Sequence, residues 1–138
     1  MVAYSFRPQF VEAIASRQKK QTVRGPRKRH ARPGEEMQLY SGMRTRHCRK
    51  IVGDDPTCLS VDDISMRVVA RPEPKIEAMS INSVPLSEDE IEAFAIADGF
   101  GGSLANGFAS RRMAEFWVKN HVGDALGMEF EGVVLRWG

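Results

Sequence analysis

Apolar and polar positions follow two different periods along this chain, and each period predicts a different kind of element. The opening VAYSF alternates as a short strand does, and Pro8 then suits the first turn of a helix because its missing N–H would be unpaired there. A helix over about residues 8–18 would turn Phe10 and Ile14 inward. The β-branched residues of the QTVR segment that follows favour a strand over residues 20–24.

The middle of the chain predicts several strands separated by short breaks. EMQLYSG and HCRKIVG are two predicted strands joined by a turn at residues 42–45. TCLSV and DISMRVVA predict two further strands with an acidic break between them, and KIEAMSINSV predicts another. Several strands of this length are typical of a small barrel.

The first helix predicted in the last third of the chain has a clear start signal. Ser87 can cap an amide of the first turn while Glu90 reaches back to Ser87, which is the signature of a capping box. Ile91, Phe94 and Asp98 then share one helix face by their spacing. An acid therefore lies in line with the buried stripe of this helix.

A second helix is predicted over about residues 109–121, with Phe116 and Trp117 turned inward and an end before Gly123. EFEGVVLRW then alternates as a closing strand. Between the two helices, GFGGSLANG has four glycines in nine residues, which predicts a mobile or tightly turning loop.

The composition is that of one globular domain spanning residues 1–138. Hydrophobic residues make up 42% and charged residues 28%, close to the averages of folded soluble proteins. No apolar run approaches the roughly 20 residues needed to cross a bilayer, and the N-terminus lacks the layout of a signal peptide, so we expect a cytoplasmic protein. Cys48 and Cys58 are too few for a disulfide framework and should remain thiols.

The net charge of +2 conceals a strong asymmetry along the chain. Residues 1–52 carry 13 Lys and Arg against three acids, whereas residues 53–138 carry seven basic and 15 acidic residues. Clustered cations gain affinity for polyanions by displacing counterions from phosphates, so the asymmetry indicates a nucleic-acid partner. The alternative is that the two parts neutralise each other across the folded surface.

The segment SRQKKQTVRG carries the most suggestive chemistry. In an extended strand Lys20, Thr22 and Arg24 would point to one side, and Lys19 at the helix-to-strand junction could turn toward the same side. A desolvated Lys19 would have a lowered pKa and could act as a base on the Thr22 hydroxyl. Exposed Lys and Thr on a strand are also ordinary surface residues, which is the alternative interpretation.

Several motifs resemble the ASCH domain family over nearly the whole chain, most closely over residues 4–51. They are the K-x-x-T-x-R of Lys19 to Arg24, the Gly34–Glu35 turn before MQLY, the Y-x-G-x-R-T-x-x-C-R-K-I run of Tyr40 to Ile51, and a later A-D-G-F at residues 97–100. The resemblance implies an α+β fold, namely a small PUA-like mixed β-barrel flanked by about three helices. It also implies a role in RNA binding.

The resemblance extends to candidate roles for particular residues. Some family members are amidohydrolases that act on N4-acetylcytidine with a Lys, a Thr and a Glu, and others are ribonucleases. By motif, these catalytic roles fall on Lys19, Thr22 and Asp98, with Asp in place of Glu. The partner would be either single-stranded RNA or a modified nucleoside. The residues expected to bind it are Lys20, Arg24, Arg27, Lys28, Arg29, Arg32, Tyr40, Arg44 and Arg46.

Three functions stay open on the sequence. The chain could be an RNA- or nucleotide-binding domain, a hydrolase with a Lys-Thr-acid pocket, or an adaptor whose acidic C-terminal portion holds a protein partner. Without catalysis, Asp98 would form a plain salt bridge to Lys19 or Arg24, because a buried unpaired carboxylate is costly. We expect no metal or other cofactor, since the sequence has no C-x-x-C or H-x-x-x-H spacing, Walker loop or dinucleotide fingerprint.

Overall fold

The described part of the chain combines two sheets with three helices. The computed structural model describes residues 2–101 and 108–138. The strands in this part of the chain are β1 (Val2–Phe6), β2 (Gln21–Arg24), β3 (Met37–Ser41), β4 (Arg49–Lys50), β5 (Cys58–Val69), β6 (Lys75–Ile81), β7 (Val84–Pro85) and β8 (Gly127–Trp137). The helices are α1 (Val11–Ala15), α2 (Glu88–Ala95) and α3 (Ala109–Trp117). A 3₁₀ turn (Pro8–Phe10) precedes α1, and π-helical turns follow α2 (Ile96–Phe100) and α3 (Val118–Val122).

The sheet topology confirms the predicted α+β class. One sheet has the strand order β1-β3-β4 and the other β2-β8-β5-β6-β7. β1 and β3 run parallel, with Val2 opposite Met37, and the remaining strand pairs of the described chain are antiparallel. The sheets meet where β3 and β5 begin, through the bonds from Met37 N to Pro56 O and from Cys58 N to Glu35 O, each 2.8 Å. Over the described residues the two sheets are not closed into a barrel.

The acidic break predicted between TCLSV and DISMRVVA is wrong, because both segments belong to the continuous 12-residue strand β5. Asp62 and Asp63 lie in register with Val134 and Val133 of β8, so the backbone ladder runs through both acids. Asp62 accepts a hydrogen bond from Arg136 at 3.2 Å, and Asp63 is exposed. Because successive side chains point to opposite faces, Asp62 meets Arg136 on one face while Asp63 is solvated on the other, and neither interrupts the strand.

The single strand predicted for KIEAMSINSV is instead the β6–β7 hairpin. Asn82 and Ser83 connect the two strands with φ angles of 50° and 67°. Positive φ at both central residues is the geometry of a type I′ turn, whose twist matches that of the flanking strands. Asn tolerates this region better than most residues, so Asn82 was the available signal for the turn.

The helices begin and end close to their predicted positions. α1 follows the 3₁₀ turn that begins at Pro8, and it ends before Arg17, which has a φ of 67°. The capping box of α2 is confirmed, since Glu90 N donates to Ser87 Oγ at 3.2 Å and the Glu90 carboxylate accepts from Ser87 N at 3.0 Å. The turn after α3 ends at Gly123, as predicted. Most of the predicted GFGGSLANG loop falls on residues 102–107, outside the described residues.

The core fills the space between the sheets and the helices, and α3 packs on β5 and β6. Its largest fully buried side chains include Tyr4, Ile14, Met37, Leu39, Met79, Met113 and Leu135. Cys48 is exposed and Cys58 is buried, and both are free thiols. Within the described ranges, no helix has the length and apolar character needed to span a bilayer.

Candidate functional site

A cavity of about 1140 Å³ opens where the two sheets and the helical turns come together. Its walls come from β1, β2 and β8, from the segment just before α1, from the loop between β3 and β4, and from the ends of the helical regions that contain α2 and α3. Lys19, Thr22 and Asp98 all line it. The three predicted catalytic residues therefore share one cavity, although Asp98 is distant in sequence from Lys19 and Thr22.

Lys19 is a buried cation held against the turn that follows α2. Its side chain is only 3% exposed, and its ammonium group donates to the main-chain oxygen of Asp98 and lies 3.5 Å from Asp98 Oδ1. The ring of Phe10 lies 4.9 Å from the Lys19 Nζ and adds a cation–π contact. Burial lowers the pKa of Lys19, and the attraction of Asp98 opposes that shift only in part.

Asp98 is buried at the same point, where the chain leaves the line of α2. Its Oδ1 accepts a hydrogen bond from Gln21 Nε2 at 3.2 Å. Burial raises the pKa of Asp98, against the charge of Lys19 and the hydrogen bond from Gln21. Burial thus shifts the pKa of each partner of the Lys19–Asp98 pair in the direction that favours its neutral form.

Gly99 allows Lys19 and Asp98 to meet. Its φ of +101° lies in the region that side chains with a Cβ rarely adopt. A Cβ at Gly99 would lie 2.8 Å from Lys19 Cδ and 3.1 Å from Phe10 Cδ1. The glycine of the A-D-G-F stretch is therefore required both by backbone conformation and by the close approach of the lysine.

Thr22 and Arg24 form the polar part of β2 in the cavity. Arg24 Nε donates to Thr22 Oγ1 at 3.1 Å, and Arg24 Nη2 donates to the Ser5 main-chain oxygen at 2.7 Å. No hydrogen bond joins Lys19 to Thr22 in the described chain, so Lys19 is not in contact with the hydroxyl it was predicted to activate. Because the Thr22 oxygen already accepts from Arg24, its hydrogen is left for an acceptor on a ligand.

Aromatic rings form the apolar wall of the cavity. Phe10, Phe100 and Phe116 contact one another with centroid separations of 5.4 Å. Trp117 and Phe130 continue this wall at a centroid separation of 4.7 Å. Ring faces and edges of this kind accept a flat heterocycle by stacking or edge contact.

Apart from the neutral Thr45, the exposed polar residues of the lining are arginines and histidines. We call Arg7, His47, Arg49 and His121 the rim of the cavity. Asp98 is the one acid among the described lining residues, and it faces Lys19. The field at the opening therefore favours an anionic ligand.

Of the residues predicted to bind nucleic acid, Arg24 lines the cavity and the others lie outside its lining. Arg27 packs over the Tyr4 ring at 5.0 Å, and Arg29 forms an ion pair with Glu35. Tyr40 is half-buried in β3, where alternation places it on the opposite face from the cavity-lining Ser41. Exposed cations of this group that lie outside the cavity are Lys20, Arg27, Lys28, Arg29, Arg32, Arg44 and Arg46.

The basic residues of the first part of the chain are mostly free of acidic partners. Among the described residues, ion pairs involve Lys19, Arg29 and Lys50 out of the 13 Lys and Arg of residues 1–52. The other ten Lys and Arg of residues 1–52 form no ion pair with the acidic residues of 53–138 within the same described ranges.

Sequence reasoning missed two residues of the cavity lining, Arg7 and His121, and one buried residue behind it, Gln21. Gln21 is buried and bridges Asp98 to Arg136, whose Nε lies 3.4 Å from Gln21 Oε1. Arg7 and His121 join the rim from positions that no motif marks. The only signal for Gln21 in the sequence was its place between Lys19 and Thr22. Alternation of side chains along the predicted strand pointed Gln21 away from the side that carries Thr22 and Arg24.

Neither a scan against protein-family models nor searches of curated proteins and of solved structures found a match to this chain. In the part of the chain that the structure describes, no group of three or more His, Cys, Asp or Glu side chains is arranged to hold a metal ion.

Proposed function

We propose that this chain is an ASCH-type, PUA-like domain that binds single-stranded RNA by taking one nucleotide into the cavity. The observation that carries the proposal is the combination, in one cavity, of an aromatic wall with polar groups that donate hydrogen bonds. Ligand pockets commonly enclose about 300–1,000 Å³, so the cavity of about 1140 Å³ has room for a nucleoside and part of its backbone.

The polar groups support a nucleotide better than a neutral apolar ligand. Thr22 offers a hydroxyl hydrogen, and Lys19 and Arg24 offer charged donors, whereas Asp98 is already engaged by Lys19 and Gln21. A base carbonyl or a phosphate oxygen can accept from the Thr22 hydroxyl and from the N–H groups of Lys19 and Arg24 that Asp98, Thr22 and Ser5 do not already engage. The unpaired cations outside the cavity would then follow the flanking phosphates.

The family assignment rests on the convergence of the motif residues. Lys19, Thr22 and Asp98 come from the K-x-x-T-x-R and A-D-G-F motifs, and they line one cavity. In the proposed PUA-like barrel, the two sheets are its two halves, linked where β3 and β5 begin. We place the protein in the cytoplasm, because a reducing compartment would keep both cysteines as thiols.

Binding of ribonucleosides, ribonucleotides and short single-stranded RNA, measured by calorimetric titration, tests this proposal. Thr22→Val removes the donor while keeping the shape, and it should weaken binding about 3- to 10-fold, the usual value of one hydrogen bond. Thr57→Val is the matched control, since Thr57 is exposed and outside the cavity lining. The proposal fails if no nucleotide or RNA binds, or if both variants behave like the unaltered protein.

Hydrolysis in the same cavity is a second candidate, favoured by the burial of Lys19. A lysine with a lowered pKa can take a proton from a water molecule, and Asp98 can return a proton to the leaving group, while the Thr22 hydroxyl, which Lys19 does not contact, would hold the substrate. On an N-acylated cytidine, water would add to the acyl carbonyl, the C–N bond would break, and the nitrogen would leave protonated.

Incubation with N4-acetylcytidine and, separately, with labelled single-stranded RNA tests the second candidate. Lys19→Met should lower turnover about 10²- to 10⁴-fold, which is the usual contribution of a general base. Lys75→Met, at an exposed lysine outside both the cavity lining and the predicted RNA-binding residues, should leave turnover unchanged. Absence of turnover of both substrates, or turnover that survives in Lys19→Met, eliminates this candidate.

A further inference from the structure

Arg7 and His121 lie on the rim of the cavity, against the same aromatic ring. Arg7 Cζ is 5.8 Å from the centroid of Phe116, and the His121 ring centroid is 6.4 Å from it. The two residues come from opposite ends of the sequence, one from the segment between β1 and α1 and the other from the turn after α3. Both are exposed, and both line the cavity.

Neither side chain has a hydrogen-bond or ion-pair partner within residues 2–101 and 108–138. The five N–H groups of Arg7 and both ring nitrogens of His121 are therefore available to a ligand. The two residues are also close enough for the charge of Arg7 to lower the pKa of His121, although burial is the larger cause. An anion bound by both residues would offset the unfavourable interaction between the Arg7 charge and a protonated His121.

The His121 ring is held in place by its neighbours. Its centroid is 4.4 Å from that of Trp117, with the ring planes inclined by 38°. A ring fixed in this way directs its nitrogens without a large entropic cost on binding. An exposed arginine beside an oriented imidazole is an arrangement that can bind the oxygens of a phosphate group.

We propose that Arg7 and His121 form a phosphate-binding subsite at the edge of the cavity, adjacent to a base that contacts the Phe116 wall. This inference rests on the proposed function, because it concerns the phosphate of the nucleotide that the cavity accepts. It predicts that the protein distinguishes nucleotides from nucleosides through these two side chains, and that the basic residues at 27–32 do not contribute to this preference.

Titration with the four ribonucleosides, their 5′- and 3′-monophosphates and inorganic phosphate tests the subsite. The unaltered protein should bind a monophosphate roughly tenfold more tightly than the matching nucleoside, the effect of one charge-assisted hydrogen bond. In Arg7→Gln and in His121→Gln this ratio should fall toward one while nucleoside affinity stays constant. Comparison of the 5′ and 3′ monophosphates identifies which backbone phosphate occupies the subsite.

Arg71→Gln is the matched control, because it removes the same charge from an exposed arginine outside both the cavity lining and the predicted RNA-binding residues. It should retain the full preference for the monophosphate. Nucleoside binding with no phosphate preference, or a preference that persists in both Arg7→Gln and His121→Gln, overturns the subsite and leaves the proposed function standing. Failure of every nucleoside and nucleotide to bind overturns both.

Discussion

At the scale of single residues, the Lys19–Asp98 pair decides what the cavity can do. Each side chain is almost fully buried, and burial alone opposes the charged form of both. Their contact and the hydrogen bond from Gln21 offset that cost. The pair should therefore behave as a unit, in which removing one member is worse than neutralising both.

Lys19→Met should lower the free energy of unfolding by about 3–5 kcal/mol, because Asp98 is left as a buried carboxylate without its cation. The double variant Lys19→Met/Asp98→Asn should recover most of this loss, since the introduced amide would be neutral and could still accept from Gln21. Urea denaturation followed by circular dichroism measures both values. Losses that simply add in the double variant would contradict the coupling.

The sequence identified the cavity residues unevenly, for a physical reason. Lys19, Thr22 and Asp98 follow motifs, and a buried acid in line with the stripe of a helix is visible in the periodicity. Arg7 and His121 acquire their position only when the segment before α1 and the turn after α3 fold together. No local spacing carries that information, so only the structure reveals it.

At the scale of elements, local signals predicted the helices better than the strands. The capping box fixed the start of α2, because both of its hydrogen bonds form between residues three apart. The continuity of β5 depends instead on β8, which pairs with it through Asp62 and Asp63. Strand boundaries of this kind are set by a distant partner, and two consecutive acids were therefore a misleading signal for a break.

The helical turn after α2 shows how one element positions the site. Gly99 has a positive φ inside Ile96–Phe100, and this turn redirects the chain after Asp98. The main-chain oxygen and Oδ1 of Asp98 then both face the Lys19 ammonium group. Periodicity predicted that Asp98 would lie on the buried side, and it does. The positive φ and the close approach of Lys19 Cδ both require glycine at position 99.

At the scale of the whole molecule, topology brings together the parts that the charge pattern separates. β1 pairs in parallel with β3, and β8 lies between β2 and β5 in the other sheet. These pairings bring the two ends of the chain together around the cavity. Neither pairing was predictable from local periodicity, because each joins segments distant in sequence. The basic first part of the chain thus supplies Lys19, Arg24 and most of the rim, while the later part supplies Asp98 and most of the aromatic wall.

The unpaired cations next to the rim make salt dependence the decisive whole-molecule measurement. Arg44 and Arg46 are exposed, have no ion-pair partner in the described chain, and lie in the β3–β4 loop just before the rim residues His47 and Arg49. For single-stranded RNA, each phosphate contact contributes about −0.7 to the slope of log K against log salt. Arg44→Gln/Arg46→Gln should therefore flatten the slope by up to about 1.4 if each arginine contacts one phosphate.

Arg67→Gln/Arg111→Gln removes the same two charges from arginines that already pair with Glu77, Glu129, Glu73 and Glu115. This control should leave the slope of log K against log salt unchanged. Equal flattening in the two double variants would mean that RNA responds to net charge alone, and the basic residues beside the cavity would then have no special role. Flattening confined to Arg44→Gln/Arg46→Gln would locate the path of the RNA backbone along the β3–β4 loop, because these unpaired arginines continue the rim there.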